Sequence, residues 1–263
     1  MTDFVNSGLR SGLGSGLGSG LVSADPMAGV TRDATSGEYY PANNSEWTIT
    51  MAAAGISSGN PSNCHQCQES SGNLADSIAS LTLTAAGSPT YAAAVSGRTR
   101  KKVANGTDGS NNRFTATGAD IATTSQLWMG MFDMPTANPA AARTLMAFGT
   151  NATRAAAEVL TSGLLRDRSV GTTQDGSDLK SAVRPLALQL NRAASVVRAR
   201  TNQDSLSVAL DGTSAGTALT LWGIAGANLS PICGTLYLAR FVGAAAELTT
   251  TQITTLLTTL RWI

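Results

Sequence analysis

The stretch RPLALQLNRAASVVRARTN, residues 184–202, decides the fold class of this chain. Its first half alternates apolar and polar residues, which places Leu186, Leu188 and Leu190 on one face of a predicted strand. Its second half, SVVRART, alternates in the same way, and LNRAAS lies where a hairpin turn would join the two halves. Because a period of two is typical of a strand with one buried face, the stretch predicts an antiparallel β-hairpin.

Short apolar runs of the same kind recur along most of the chain after about residue 45. Clusters of Gly, Asn, Asp and Pro separate them at spacings of about ten residues, which favours an all-β sandwich over alternating β–α–β units. The predicted strands lie in EWTITMAAAG (46–55), SLTLTAAG (80–87), QLWMGMFDM (126–134), RTLMAFG (143–149), AAAEVLTSGLLRDRS (155–169), SLSVALDG (205–212) and GTLYLARFVG (234–243).

The C-terminal stretch AELTTTQITTLLTTLRWI (246–263) predicts the one helix of the chain. Thr249 and Gln252 have the spacing of a capping box, and Leu248 precedes the cap, where it can pack against Ile253. One apolar stripe follows at helical spacing. The stripe consists of Ile253, Leu256, Leu257 and Leu260. We expect this helix to close one end of the sandwich, and a partner-binding helix is the alternative.

The N-terminal stretch SGLRSGLGSGLGSGL (7–21) repeats a leucine every fourth residue among glycines and serines. The glycines argue against a helix, since each costs about 1 kcal/mol relative to alanine in a helix interior. A flexible Gly/Ser linker needs no leucines. We therefore predict an extended arm over residues 1–37, before a sandwich domain over residues 38–263. The arm would dock into apolar pockets of neighbouring subunits through Leu9, Leu13, Leu17 and Leu21.

The composition restricts the partners that this chain can have. Charged residues make up 13% of the chain and the net charge is +1, whereas roughly a quarter of residues are charged in ordinary globular domains. This balance favours neither nucleic acid nor a membrane as partner, and it suits close packing against other subunits. The N-terminus lacks a basic segment followed by an apolar one, so we expect no secretory signal and assembly in a host cytoplasm.

The stretch CHQC (64–67) has the Cys-x-x-Cys spacing of a zinc site and contains the only histidine, His65. A structural zinc site needs four ligands, usually from two such pairs, and the second pair is missing here. The remaining cysteine, Cys233, makes the count odd, which does not fit a disulfide framework. We predict ordinary strand cysteines at Cys64 and Cys67, and no metal or other cofactor.

The acidic residues do not form a recognisable catalytic pair. Glycoside hydrolysis needs two carboxyl groups on facing positions, and Glu69, Glu158 and Glu247 are isolated in sequence. A Ser-His-Asp triad could use only His65. We therefore predict that the protein is not an enzyme and has no catalytic residues.

Two polar loops are candidates for calcium or sugar binding. TDGSNN contains Asp108, Asn111 and Asn112, and TTQDGSDLK contains Asp175 and Asp178. Oxygen ligands from such loops suit calcium, but hairpin turns require the same residue types, and the turn interpretation is preferred.

Sugar binding would also favour exposed aromatic side chains. Trp47, Trp128 and Trp222 lie in apolar strand contexts, so only Trp262 is expected to be free for such a contact.

Five segments, in order along residues 60–263, carry a resemblance to laminin-G-like domains of the concanavalin A-like superfamily. They are CQESSGNLADSIASLTLTAAGSPTY (67–91), VANGTDGSNNRFTAT (103–117), TTSQLWMGMF (123–132) with an inward Trp128, the hairpin from residue 184, and CGTLYLARFVGAAAELTTTQITTLL (233–257). The matching positions in the first two are Glu69, Ser71, Gly72, Asp76, Leu81, Thr82, Gly87, Pro89, Tyr91, Asp108, Gly109 and Phe114.

This resemblance implies a jelly-roll sandwich of two antiparallel sheets, in which the first and last strands lie side by side. That arrangement would bring Cys67 near Cys233, and in a reducing cytoplasm the two would stay as thiols. Relatives of this sandwich bind sugars, bind proteins, hydrolyse glycans or act as structural modules, so the fold leaves the function open.

The leucine arm, the sequence Tyr39-Tyr40-Pro41 followed by Trp47, and the CQESSGNLADS segment together resemble accessory proteins of tailed-phage virions. This resemblance implies a non-enzymatic structural component: a capsid decoration or cement protein, or a tail-fibre subunit. Its partners would be other virion proteins, copies of itself or both, in a homo-oligomer within the virion. The alternative is a lectin-like module that recognises carbohydrate, such as host-surface glycans.

Overall fold

A computed structural model of the chain describes residues 25–95, 97–104, 112–117, 123–134, 136–149, 155–211, 218–221 and 237–263. These residues form a sandwich of two antiparallel β-sheets, with a two-stranded sheet and two α-helices beside it. The predicted all-β jelly-roll sandwich with a short C-terminal helix is confirmed. None of the described helices is both long and apolar enough to cross a membrane.

The strands and helices are short and follow one another closely along the chain. In chain order the strands are β1 (Asn63–His65), β2 (Thr84–Ala86), β3 (Thr90–Ala94), β4 (Lys101–Ala104), β5 (Arg113–Thr117), β6 (Gln126–Asp133), β7 (Arg143–Phe148), β8 (Ala155–Val159), β9 (Leu164–Ser169), β10 (Thr172–Asp178), β11 (Val183–Asn191), β12 (Val196–Arg200), β13 (Ser205–Ala209), β14 (Ala218–Leu221) and β15 (Leu238–Val242). The helices are α1 (Asn44–Ala53), a 3₁₀ turn (Gly243–Ala246) and α2 (Thr250–Thr259).

The first sheet has six strands in the order β1–β15–β6–β11–β12–β13, and the second has seven in the order β10–β9–β8–β7–β14–β5–β2. Strands β3 and β4 form a separate pair. In the first sheet β1 pairs antiparallel with β15, with Asn63 opposite Arg240. The first and last strands therefore lie side by side, as the laminin-G-like resemblance implies.

The predicted hairpin is the β11–β12 pair, with Leu188 opposite Ala199 and Leu190 opposite Val197. Leu186, Leu188 and Leu190 are all buried in the core between the two sheets. The period-two pattern thus assigned both the strand and its inward face correctly.

Over β15, β6 and β11, the six-stranded sheet is buried on both faces. Along β6, Trp128 and Phe132 belong to the core between the sheets, whereas Leu127 and Met129 belong to a second core on the outer face. The two helices and residues from Met27 onward cover that outer face over β15, β6 and β11. This helix layer explains how so many apolar residues of β6 can be buried.

The segment 46–55, predicted as a strand, is instead helix α1. Asn43 caps it by accepting a hydrogen bond from the Glu46 N–H at 3.1 Å. Trp47, Thr50 and Met51 then face the outer core, because positions three and four residues apart share one side of a helix. Burial of Trp47 in this layer outweighs the strand preference of its Thr and Ile residues.

Helix α2 confirms the capping box of Thr249 and Gln252 and the buried stripe of its leucines. Its position differs from the prediction, since it lies on the outer face of the six-stranded sheet and not across one end of the sandwich. The apolar outer residues of β6 and β15 provide the surface that this stripe needs.

The packed part of the chain begins before the predicted domain boundary at residue 38. Met27 and Val30 are buried in the outer core, although we assigned residues 25–37 to the arm. Residues 1–24, with Leu9, Leu13, Leu17 and Leu21, lie outside the described residues, so the leucine arm remains a prediction.

Candidate functional site

The exposed side of α2 is lined by six threonines: Thr250, Thr251, Thr254, Thr255, Thr258 and Thr259. The hydroxyl groups of four of them donate to the helix backbone four residues earlier, at 2.8–3.0 Å. This internal bonding turns the hydroxyls toward the helix and leaves the methyl groups at the surface. The face therefore combines small apolar groups with few free hydrogen-bonding groups.

No charged residue occurs from Leu248 to Leu260, which is unusual for the exposed side of a surface helix. The nearest charges are of opposite sign, with Glu247 before the helix and Arg261 after it, and both are exposed. We call the six threonines the α2 face, and this pair of charges flanks it at either end. Uncharged faces of this kind are suited to close contact with another protein surface.

The chain enters the described structure beside the C-terminal end of α2. The Tyr39 N–H donates to the Leu260 carbonyl at 3.0 Å, and the Trp262 indole N–H donates to the Tyr39 carbonyl at 3.0 Å. The Tyr39 hydroxyl donates to Asp25 at 2.8 Å. Asp25, the first described residue, consequently lies near the C-terminal end of α2.

Two buried carboxylates fasten this N-terminal segment to the turn between β3 and β4. Asp33 accepts from the N–H and hydroxyl of Thr99 at 2.8 and 2.6 Å, and Glu38 accepts from the Arg98 guanidinium at 2.6 Å. Burial opposes ionisation of Asp33, but the hydrogen bonds from Thr99 and Ser36 outweigh it and lower the pKa of the carboxyl. Sequence analysis missed these contacts because they join residues about 60 positions apart.

The aromatic residues of the helix layer pack against one another in the outer core. Tyr40, Trp47 and Tyr237 are fully buried, and Trp262 is only 5% exposed. The expectation that Trp262 is free to contact a sugar is therefore wrong. Its ring packs edge-on against Tyr237 with 5.3 Å between the centroids, because the C-terminus folds back under residues 39–40.

Asp76, a position of the laminin-G-like resemblance, organises the start of the six-stranded sheet. Its carboxylate accepts from the Cys64 N–H at 2.9 Å, from the Asn63 amide at 2.6 Å and from the N–H groups of Ile78 and Ala79. Burial alone would raise the pKa of Asp76, but these hydrogen bonds lower it overall. Asp76 is therefore a structural anchor for β1.

The two cysteines of CHQC point into different cores. Cys64 lies in the outer core, where its thiol is 3.4 Å from the Tyr237 hydroxyl, and Cys67 lies between the sheets. His65 bonds the Leu81 carbonyl through Nε2 at 2.6 Å, and burial lowers the pKa of its ring. Within the described ranges, no three His, Cys, Asp or Glu side chains are grouped to hold a metal ion. Cys233 falls outside those ranges, so its nearness to Cys67 stays a prediction.

The three isolated glutamates lie on different elements and have different partners. Glu69 follows β1 and accepts from the Ala75 N–H at 2.8 Å. Glu158 lies on the outer face of β8, 3.6 Å from Arg168, and Glu247 accepts from the Ser125 hydroxyl at 2.8 Å. In these contacts each glutamate has a different partner, so they do not bring two of the glutamates together.

The candidate calcium loops are occupied by internal contacts where the structure describes them. Asp175 forms a two-pronged pair with Arg166 at 2.6 and 2.9 Å, and Asp178 pairs with Lys180 at 3.1 Å. The Asn112 side chain accepts from the Ser88 N–H at 2.6 Å and donates to its carbonyl. Asp108 and Asn111 lie outside the described residues.

The comparisons with known proteins establish likeness at the level of the fold. No protein-family model matches the chain, and no curated protein matches its sequence. A Trypanosoma rangeli sialidase in complex with 2,3-difluorosialic acid matches with a TM-score of 0.58 and 10% identity, over 80% of this chain and 37% of the sialidase. A mutant of HCR D/C VPI 5995 matches with a TM-score of 0.50 and 11% identity, over 76% of this chain and 52% of that one.

A mutant of the Trypanosoma rangeli sialidase that displays trans-sialidase activity matches with a TM-score of 0.57 and 9% identity, over 80% of this chain and 35% of its own. The chain thus spans about a third of the length of the sialidases it matches. These TM-scores show likeness of the β-sandwich fold alone, and they do not extend to the activity of the larger proteins.

Proposed function

We propose that the chain is a non-enzymatic structural subunit of a virus-like particle, such as a capsid decoration or cement protein or a tail-fibre subunit, and that it docks through its N-terminal arm. The observation that carries this proposal is the α2 face, an uncharged surface beside the point where the arm is attached. The low overall charge supports it, because a surface poor in charge suits contact with neighbouring subunits.

The arm by itself binds weakly in this proposal. Each buried leucine contributes about 1.5–3 kcal/mol, but ordering a glycine-rich chain costs about 1–2 kcal/mol per residue. Docking of the arm therefore requires that the folded domain is already held in place, so that the arm acts at a high effective concentration. A contact made by the domain itself is needed, and we assign that contact to the α2 face.

The partner of the α2 face is a second copy of the chain in a two-fold arrangement. Antiparallel pairing about the point between Thr254 and Thr255 would set threonine against threonine along the helix. It would also bring Glu247 of each copy near Arg261 of the other, because these two residues lie almost equally far along the chain from the midpoint between Thr254 and Thr255. Antiparallel helix dipoles favour the same orientation, and a self-complementary patch is what a two-fold interface requires.

Sedimentation of the full chain tests this arrangement directly. Thr254→Glu would place like charges at the centre of the pair, so we expect a shift toward monomer with an unchanged melting temperature of the monomer. Ala52→Glu on the exposed side of α1 is the matched control and should leave the oligomeric state unchanged.

Glu247→Arg should weaken the dimer, and adding Arg261→Glu should restore it. A parent protein that sediments as a monomer at all accessible concentrations contradicts the two-fold pairing.

Removal of residues 1–24 tests the arm. We expect the truncated protein to keep its melting temperature and its α2-mediated dimer, and to lose incorporation into particles reconstituted with the other virion proteins. Incorporation equal to that of the parent contradicts the role of the arm.

Carbohydrate recognition is the second candidate function, and the fold shared with sialidases supports it. Among the described residues, Ile263 is the one large apolar side chain that is exposed. The described surface therefore offers a sugar no exposed aromatic ring to stack on. A glycan array with the full chain separates the two functions, since tight and specific glycan binding that does not depend on residues 1–24 favours recognition over assembly.

A further inference from the structure

Two strands carry the same short pattern, an arginine on each side of an inward-facing residue. In β9 the arginines are Arg166 and Arg168, and in β12 they are Arg198 and Arg200. On β9 both are neutralised, because Arg166 forms its two-pronged pair with Asp175 and Arg168 lies 3.6 Å from Glu158. On β12 neither arginine has a described carboxylate within ion-pair distance. The two pairs therefore differ in charge balance although their local sequences match.

The β12 arginines lie on the part of the six-stranded sheet that the helices leave open. The outer core includes residues of β6, β11 and β15 but none of β12 or β13. Ser205 lies directly opposite Arg200 and Ser207 opposite Arg198, and both serines are exposed. We call these two arginines and two serines the β12–β13 surface.

The Arg198 side chain is held in place from the helix layer. Its Nη1 donates to Gln189 Oε1 at 2.8 Å, and the Gln189 amide donates to the carbonyls of Ala246 and Leu248 at 2.6 and 2.7 Å. The Arg200 side chain is half-buried on the same face of β12. One of the two guanidinium groups is thus positioned before a ligand arrives.

We propose that the β12–β13 surface binds the anionic groups, carboxylate or sulfate, of an acidic polysaccharide. The two arginines stand about 7 Å apart on one face of the strand, where their charges repel unless an anion lies between them. Guanidinium groups hold carboxylate or sulfate through two parallel hydrogen bonds, and the neighbouring serine hydroxyls can bond sugar hydroxyls. This inference deepens the second candidate function and rests on it.

The same observations disfavour nucleic acid as the ligand. Single-stranded nucleic acids bind to proteins that combine a cationic groove with exposed aromatic side chains, and the β12–β13 surface has two cations and no aromatic residue. An acidic polysaccharide needs no aromatic platform on this surface, because its sulfate or carboxylate groups can bond the guanidinium groups directly.

Affinity electrophoresis and titration calorimetry with the full chain test the proposal. The probes are heparin for sulfate, polygalacturonate for carboxylate, dextran as the neutral polymer and a single-stranded DNA. We expect binding to at least one acidic polysaccharide and none to dextran. The double variant R198Q/R200Q should weaken this binding by about tenfold or more, since the loss of even one charge-assisted contact has about this effect. R166Q/R168Q removes the same two charges from β9 and should leave binding within about twofold of the parent.

R198K/R200K keeps the charge and the packed aliphatic part of each side chain, so it should fold as the parent does. It should still weaken binding, because lysine lacks the planar guanidinium that makes two parallel hydrogen bonds. Equal losses in the β9 and β12 glutamine variants would show a general charge effect and overturn the proposal. Binding of neither acidic polysaccharide overturns it too, and tighter binding of the DNA overturns the assignment to a polysaccharide. If the glycan array shows specific binding of neutral glycans while neither acidic polymer binds, carbohydrate recognition is supported and this inference is wrong.

Discussion

Strands β9 and β12 face each other across the interior of the sandwich and carry the same alternating pattern with opposite electrostatic consequences. The inward residue between the arginines is Asp167 in β9 and Ala199 in β12. Outside, β9 has Asp175 and Glu158 to balance its arginines, whereas β12 has no such partner among the described residues. Alternation therefore decides which way a side chain points, and the neighbouring strands decide what it meets.

Asp167 is the exceptional residue of this comparison. Its side chain is fully buried, and neither carboxyl oxygen has a hydrogen-bond partner of good geometry. Burial raises the pKa of this carboxyl to about 7, and the nearby N–H groups of Ala199 and Arg168 oppose the shift only in part. Strand β9 lies against β12 and β13, whose inward residues include the apolar Val197 and Leu206. Within its own sheet, Asp167 lies opposite Ala157 of β8 on one side and Gln174 of β10 on the other.

The largest expected effect follows from Asp167→Asn. In the unfolded chain this carboxyl loses its proton near pH 4, but in the folded protein it keeps the proton to about pH 7. The folded state thus binds an extra proton between these values, so the stability that this group contributes is present at low pH and is lost as the pH rises from 4 to 7. At pH 8 the asparagine variant should be more stable than the parent by about 4 kcal/mol.

Thermal melts from pH 4 to pH 8 measure this difference, and the variant should lack the decline across that range. Asp175→Asn is the matched control on the outer side, where hydrogen bonding to Arg166 lowers the pKa of the carboxyl. Its effect should be small and opposite in sign. A parent protein whose Asp167-dependent stability increases between pH 4 and pH 7 would contradict the assignment of a buried, neutral acid.

The second effect concerns a close contact between β10, the neighbour of β9, and the turn between β12 and β13. Gly176 in β10 approaches the Asp204 carboxyl after β12 so closely that an added Cβ would lie 2.8 Å from Asp204 Cγ. Asp204 also accepts from the Ser177 N–H and hydroxyl at 2.8–3.0 Å. Gly176→Ala should therefore cost about 1–3 kcal/mol of unfolding free energy. Gly171→Ala, whose added Cβ would meet its nearest atom at 3.8 Å, should change stability little in the same denaturant titration.

The third effect tests the balance on the outer side of β9. Glu158 is only 3% exposed, so Arg168→Gln leaves a shielded carboxylate with less compensating charge and should cost about 1–2 kcal/mol. Arg166→Gln frees the more exposed Asp175 and should cost less than about 1 kcal/mol. Urea titrations of both variants would contradict this assignment if Arg166→Gln proved the more destabilising.

The smallest effect is expected on β12. R198Q/R200Q removes two like charges that have no described acidic partner, so the free energy of unfolding should stay within about 0.5 kcal/mol of the parent or increase slightly. A loss of more than about 1 kcal/mol, compared with R166Q/R168Q in the same assay, would mean that the β12 arginines serve the fold itself. That result would weaken the contrast between the two strands.

Sequence reasoning succeeded where the signal is local. The alternation around Leu188 and the capping box of Thr249 and Gln252 involve residues a few positions apart, so their outcome depends little on the rest of the chain. It failed for segment 46–55, where a Thr- and Ala-rich run suits either a strand or a helix. Asn43, the residue that caps α1 there, was an available signal that the strand interpretation overlooked.

The candidate site shows the same division. The leucine arm was named from sequence, but the α2 face depends on which side of the helix the outer core covers. The charge difference between the β9 and β12 arginines could not be predicted, because Asp175 and Glu158 come from neighbouring strands whose register is set by the whole sheet. The burial of Trp262 likewise depends on contact with Tyr39, 223 residues away.

By itself, the sequence determined that this chain forms a β-sandwich with a capped C-terminal helix, because periodicity and capping are properties of neighbouring residues. Only the tertiary structure decided that α2 lies on the outer face, that Cys64 and Cys67 enter different cores and that one arginine pair is neutralised while the other is open. These outcomes follow from contacts between distant segments, where burial and charge depend on the partner that the fold supplies.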